Sequence, residues 1–275
     1  MRNERIWPRG VRLAVLALIC LGSLFPLYFL VVTAFKSTSE FDRNYFLPPR
    51  TLYVDNLVAG LDIVGRFALN SVFIALMTAA IVLFVVIPAV YAFTWLRFPG
   101  KERIYAIAVS TLLVPAVLTF VPQYVLTRQL GLLDSSWGVI LPFVATAIGL
   151  AVFLLRSFFS ALPDQLIEAA RVDGAHDLQI LGSIVLPLTI PSVVTIAVVT
   201  IVTAWNAFLW PLVAITSESK RTISVAVTFL AGSGNFPDVT TLMGGYLAAS
   251  LPLILIMSVL LRFFIRGVME GAVKG

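Results

Sequence analysis

The residues best placed to do chemistry in this chain form one polar island. It reads Glu168-Ala169-Ala170-Arg171-Val172-Asp173-Gly174-Ala175, and Ile184-Val185-Leu186-Pro187 follows nine residues later. The island lies between two segments apolar enough to cross a membrane. Pro163 and Asp164 suit the start of a helix, the proline through its fixed φ and the aspartate through the positive end of the helix dipole. Leu166, Ile167, Ala169 and Ala170 then recur at helical spacing, and two small residues in a row allow close approach of a partner. Gly174 can take the left-handed conformation that ends a helix. The segment from 177 to 185 reads as a second helix leading to Pro187. The chemistry on offer is recognition. An amphipathic helix on lipid headgroups is one reading, but Asp164, Glu168, Asp173 and Asp177 would face a negative inner leaflet. A basic or mixed protein socket fits these acids better.

Catalytic constellations are absent from the sequence. Gly100-Lys101 is followed by Glu102, and Trp95 stands where a phosphate-binding loop would need its first glycine, so the chain is not expected to hydrolyse ATP alone. There is no H-E-x-x-H and no paired Cys/His spacing, so no metal site is expected. His176 is a lone histidine in the polar island. Cys20 is the only cysteine, sits in an apolar run, and reads as a small packing residue. No enzyme activity and no bound cofactor are expected of this chain.

The elements that must position the island follow from composition. Of 275 residues, 60% are hydrophobic and 12% charged, whereas a soluble domain carries about 25% charged residues. An α-helical span needs roughly 20 mostly apolar residues. Six runs qualify: 11–35, 69–96, 104–126, 139–155, 188–213 and 247–265. The expected fold is an all-α membrane protein with one transmembrane domain over 1–275, and long apolar runs argue against a β-barrel. The first run lacks a small-x-small cleavage site before Lys36 and reads as a retained helix. Outer loops are expected at 36–68, 127–138 and 214–246, and the island belongs to a loop at about 156–187 between spans four and five. With six spans, twelve of the nineteen Lys and Arg residues fall on the side of the termini. The positive-inside rule puts that side, and the island, in the cytoplasm. This placement of charge points to a membrane, not to nucleic acid.

Prolines punctuate the spans at Pro26, Pro88, Pro115, Pro122, Pro142, Pro191, Pro211 and Pro252, and each removes a backbone donor. The span middles carry no ionisable side chain, which disfavours a proton-coupled pump. At 100° per residue, Ser192, Thr195, Thr203, Asn206 and Trp210 share one sector of the fifth span. The stripe reads either as a solute path, where hydroxyls and a flat ring suit a sugar, or as a helix-packing seam.

The spacing Glu-Ala-Ala-x-x-x-Gly, nine residues, Ile-x-Leu-Pro resembles the EAA loop of bacterial ABC-importer permeases. Arg156-Ser157-Phe158-Phe159, Leu162-Pro163 and Val172-Asp173-Gly174-Ala175 resemble the carbohydrate-importer branch, in particular the smaller six-span permease of maltose-type systems. Asn70-Ser71, Tyr91-Ala92-Phe93, Phe98-Pro99-Gly100, Pro122-Gln123-Tyr124 and the Trp205–Leu212 block agree with it. The resemblance implies a permease subunit of an importer in a bacterial or archaeal cell membrane, with a sugar or sugar-like solute as cargo. It implies a second homologous permease, two cytoplasmic ATPases that use ATP and Mg, and an external solute-binding protein as partners. The island then acts as a coupling helix, with Glu168, Ala169, Ala170, Asp173, Gly174, Ala175, Ile184, Leu186 and Pro187 as its coupling residues. Gly271, Ala272, Val273, Lys274 and Gly275 would reach the ATPase dimer. Ala207 and Asp134-Ser135 depart from the family pattern. On hydropathy alone an ion-coupled carrier or channel subunit is the alternative.

Overall fold

The computed structural model describes residues 9–232, 234 and 236–272, with side chains from residue 10 to residue 261 among these. It is built of helices, and no strand occurs among the described residues. Among the described residues, five helices are long and apolar enough to cross a membrane, or six spans if one bent pair counts as a span. The chain divides into two compact units, Met1–Gly65 with Val227–Leu251, and Arg66–Ala226 with Pro252–Gly275.

The first unit contains α1 (Arg9–Ala34), α2 (Thr38–Arg43) and the N-terminal parts of α3 (Asp55–Trp95) and α12 (Val239–Ala272). The last carbonyls of a helix have no partner within it. Here Asn56 donates through Nδ2 to Ala34 O at 3.1 Å and to Lys36 O at 2.6 Å. Lys36 is fully buried and donates to Asn44 O at 2.7 Å, just past the end of α2. That burial lowers its pKa, against the opposing charge of Glu40. Asp238 caps α12 by accepting from Thr240 Oγ1 and from Thr241 N, at 2.6 and 2.8 Å. Phe25, Phe29, Phe41, Tyr45 and Phe46 cluster where α1 meets α2 and the following loop.

The second unit holds the rest: α4 (Lys101–Ser110), α5 (Ala116–Gln129), α6 (Trp137–Phe159), α7 (Asp164–Val172), α8 (Asp177–Ile180), α9 (Leu186–Asn206), α10 (Leu209–Ala214) and the start of α11 (Ile223–Gly232). Its core joins α3, α6, the α7–α8 loop and α9 through Val86, Val90, Leu155, Phe159, Ile167, Ile180 and Ile196. A seam of small residues, Ala75, Ala79 and Ala204 with Ile201, packs α3 against α9, and small residues are common at helix contacts in lipid.

The helices depart from the expected spans in three places. Helix α3 begins at Asp55, not near residue 69, and has 41 residues. At about 1.5 Å per residue it is roughly twice as long as a bilayer core is thick. Asn70 and Ser71 therefore lie inside a helix instead of opening one. They tie it to the segment before α11, Asn70 donating to Ser219 O and Arg221 O and Ser71 accepting from Ile223 N. The third run, expected as one span, is broken: Lys101–Leu113 and Ala116–Gln129 meet at 104°. The cause is local. Pro115 disfavours a helical residue before it, and Val114 is extended with ψ 114° while Pro115 caps α5. The fifth run also breaks, at Ala207, where ψ is 128° and α9 ends. Pro26, Pro88, Pro122, Pro142, Pro191 and Pro252 stay within continuous helices.

Candidate functional site

The polar island folds as a helix, a left-handed turn and a second helix. Pro163 caps α7 with extended backbone. The helix ends in a Schellman motif around Gly174, whose φ is +82°. The Gly174 amide donates to Arg171 O at 3.1 Å and the Ala175 amide to Ala170 O at 3.0 Å, which satisfies two carbonyls the helix end leaves free. His176 then caps α8. Its Nδ1 accepts from Gln179 N and its own amide donates to Gln179 Oε1, both at 3.1 Å, a capping box built on histidine. One turn of π-helix, Leu181–Val185, joins α8 to α9. Pro187 lacks the donor that would bond Ser183 O in an α-helix, and the wider turn absorbs that gap.

The residues expected to couple divide by exposure. Glu168, Ala169, Asp173 and Gly174 are exposed, beside Leu166, Val172 and Leu178, and Val172 is 87% exposed. Ala170 is buried with Ile167, so of the two adjacent alanines only Ala169 offers its face outward. Ala175, Ile184 and Leu186 are half-buried against the core below the loop, and Pro187 is exposed at the start of α9. The loop is thus an exposed surface of apolar residues and the acids Glu168 and Asp173, rooted through the buried Ile167, Ala170 and Ile180.

Polar bonds fix the root to α3. Tyr91 Oη donates to Asp177 Oδ1 at 2.8 Å, Arg171 Nη2 reaches the same oxygen at 3.1 Å, and Trp95 Nε1 donates to Asp164 Oδ1 at 3.0 Å. Trp95 also stacks on Phe159, with centroids 5.6 Å apart. Arg156, at the end of α6, grips Glu102 with both guanidinium nitrogens, at 2.8 and 3.2 Å, and lies 3.9 Å over the Tyr105 ring. Tyr91 and Arg156 belong to family-like blocks of the sequence that carry no evident task, and only the fold brings them to their partners.

A cavity of about 610 Å³ opens between α3, α5, α6 and α9 of the same unit. Both helix breaks border it: Leu112 and Ala116 flank the first, Ala207 and Phe208 form the second. Irregular backbone at membrane depth is tolerated where it is covered by protein or lines a cavity. The walls carry Thr78, Thr119, Thr146, Thr200, Thr203 and Gln123 among Phe120, Phe143, Phe208 and Trp210. Of the expected stripe, Thr203 and Trp210 border the cavity, whereas Ser192, Thr195 and Asn206 do not. Thr195 Oγ1 bonds back to Pro191 O and Asn206 Nδ2 to Val202 O. Trp210 reaches the wall by a different route from the one a continuous helix implies. It follows the break, is buried, donates through Nε1 to Gly138 O at 3.0 Å and meets Phe120 edge to face.

Near the first turn of α6, Asp134 adopts φ 55° and binds a neighbouring loop. Its carboxylate accepts from Ser217 N at 2.8 Å, Ser217 Oγ at 2.6 Å, Thr216 N at 3.1 Å and Lys220 Nζ at 3.0 Å. The Ser217 hydroxyl and amide, then Lys220, hold its pKa far below the usual carboxylate range. The departure noted at this position in the sequence is therefore a clasp between loops. Gly271 and Ala272 fall in the last turn of α12, and Val273, Lys274 and Gly275 lie outside the described residues.

An exposed loop rooted in a helical membrane unit, with a cavity between broken helices, describes the membrane component of a transporter. The chain belongs to the family of binding-protein-dependent transport system inner membrane components, whose profile matches residues 57–270. It is 34% identical to the lactose transport system permease protein LacG of Rhizobium radiobacter, over 98% of each chain. It is 31% identical to the trehalose permease SugB of Mycobacterium tuberculosis, over 97% of this chain and 98% of that one. To the arabinooligosaccharide permease AraQ of Bacillus subtilis it is 32% identical, over 92% and 91%. Its fold resembles a chain in the crystal structure of a bacterial ABC transporter that imports the acidic polysaccharide alginate. The TM-score is 0.81 at 23% identity, covering 95% of this chain and all of that one.

Proposed function

We propose that the chain is the permease subunit of an ABC importer that moves a sugar into the cytoplasm. One observation carries the reading: a single helical path, Asp177–Asn206, runs from the exposed loop to the cavity wall at Thr200 and Thr203. A push on the loop by an ATPase would therefore reach the solute path along one helix, through its π turn at Leu181–Val185. Glu168 and the apolar residues beside it form the face that an ATPase cleft would hold. ATP and Mg act in two such partner subunits, a second homologous permease completes the path, and an external binding protein delivers the sugar. The relatives named for lactose, trehalose and arabinooligosaccharides support a glycan cargo. Both termini and the loop face the cytoplasm, an orientation supported by the bias of Lys and Arg.

The test is reconstitution of the complete importer in proteoliposomes, with ATP-driven sugar uptake as the readout. In a Cys20→Ser background, Ser219→Cys should label from outside intact cells and Val172→Cys only after permeabilisation. Both residues are exposed, so reversed labelling would overturn the orientation and with it the coupling role of the loop.

A further inference from the structure

We infer that the cavity of the second unit accepts an uncharged glycan and rejects an acidic one. The inference rests on the sugar-permease reading and narrows it. Hydroxyls in membrane helices usually bond back to the carbonyl one turn earlier, and Thr78, Thr146, Thr189 and Thr195 do so here. Thr200 and Thr203, one turn apart on α9, take part in no such bond among the described residues, nor does the Gln123 amide, and all three line the cavity. Their donors and acceptors are unspent. A hydroxyl and a carboxamide each donate and accept, which matches the hydroxyls of a glycan. Phe120, Phe143 and Trp210 add ring surface for the apolar faces of a sugar. The cavity volume of about 610 Å³ lies within the range of roughly 300–1,000 Å³ usual for small-molecule sites.

Charge decides between classes of glycan. No Lys, Arg or His lines the cavity. A carboxylate only accepts, and burying it without a cation or several donors is costly. An acyl chain or a neighbouring helix would be a poor occupant for the opposite reason. Either would leave Thr200, Thr203 and Gln123 unpaired.

The experiment measures equilibrium binding to the assembled importer in lipid nanodiscs without its binding protein, so that the cavity alone discriminates. Lactose and trehalose serve as neutral probes and digalacturonate as the acidic one. A neutral probe should bind at least about tenfold more tightly than digalacturonate. The isosteric double variant Thr200→Val/Thr203→Val should weaken neutral binding on the order of tenfold. Gln123→Arg, which places a cation on the wall, should shift preference towards digalacturonate. Equal or tighter binding of digalacturonate by the wild type overturns the inference and leaves sugar import standing. Failure of all probes to bind, or unchanged binding in the double variant, overturns the assignment of the cavity. The underlying reading falls separately, if the complete system with its binding protein imports no sugar.

Discussion

Replacing Gly174 isolates the contribution of one backbone conformation to the exposed loop proposed to meet the ATPase. Its φ is +82°, and an added Cβ would meet no atom within 4 Å. Gly174→Ala therefore introduces strain without a clash. An L-residue held in the left-handed region costs about 1–2 kcal/mol, which corresponds to a factor of about 5–30 in a local equilibrium. The strain acts on the hydrogen bond from the Ala175 amide to Ala170 O. Hydrogen exchange at that amide should accelerate by about 5–30-fold, while amides in the middle of α6 keep their rates. Gly174→Asn should lose less, because asparagine visits this region more readily. Gly174→Val should lose more, because a β-branched residue resists it. Transport per ATP hydrolysed should fall in the order Gly, Asn, Ala, Val. Exchange at wild-type rate in Gly174→Ala, or an asparagine no better than alanine, would refute the strain argument.

Three further outcomes follow from the same geometry. Glu168→Lys sits on an exposed face, so folding stability should change by no more than about 0.5 kcal/mol while ATPase association weakens; intact association would remove Glu168 from the interface. Gly149 packs α6 against Thr111 and within 2.9 Å of Ala108 O as measured from an added Cβ, so Gly149→Val should cost about 1–3 kcal/mol by overpacking, read as a lower melting temperature in detergent. Asp134 has a depressed folded pKa, so its contribution to stability is present above the unfolded value of about 3.9 and is lost only as pH falls through the lower folded one. Asp134→Asn should accordingly melt below the wild type by a constant interval from pH 8 to pH 5, and an interval that closed near pH 6 would contradict the clasp.

Much of the loop was legible because its signals are local. A proline and an acid open α7, a glycine closes it, and apolar residues at helical spacing root it, all within a dozen residues. The left-handed turn needed only the identity of Gly174. What the sequence could not supply was the sidedness of small residues. Ala169 and Ala170 are indistinguishable in type, yet one faces out and the other packs with Ile167, because only the phase of the helix on its support separates them. The extent of α3 was hidden for a related reason. Its first turns, where Asp62 and Arg66 alternate with the buried Val64 and Phe67, are amphipathic, so a search for continuous apolar runs passes over them.

The cavity tests the reach of a helical wheel. The wheel assumes one unbroken axis, and that assumption holds for Thr203 but fails after Asn206, where Ala207 turns extended. Thr203 and Trp210 still meet at one cavity, but for unlike reasons. The first arrives by helical phase, and the second because the break swings α10 to where Trp210 Nε1 can bond Gly138 O. Asn206 sits just before the break and spends its amide on Val202 O, so the wheel's strongest polar candidate leaves the wall. Thr200 and Gln123 replace it. Gln123 lies in the half of the third run beyond the Pro115 break, and no periodicity within one segment could pair it with α9. The two prolines that looked alike in sequence, Pro115 and Pro122, differ in the same way: the first caps α5 and the second stays inside it. A broken helix thus changes which residues share a surface more than it changes which residues are helical, and the cavity is assembled from that difference.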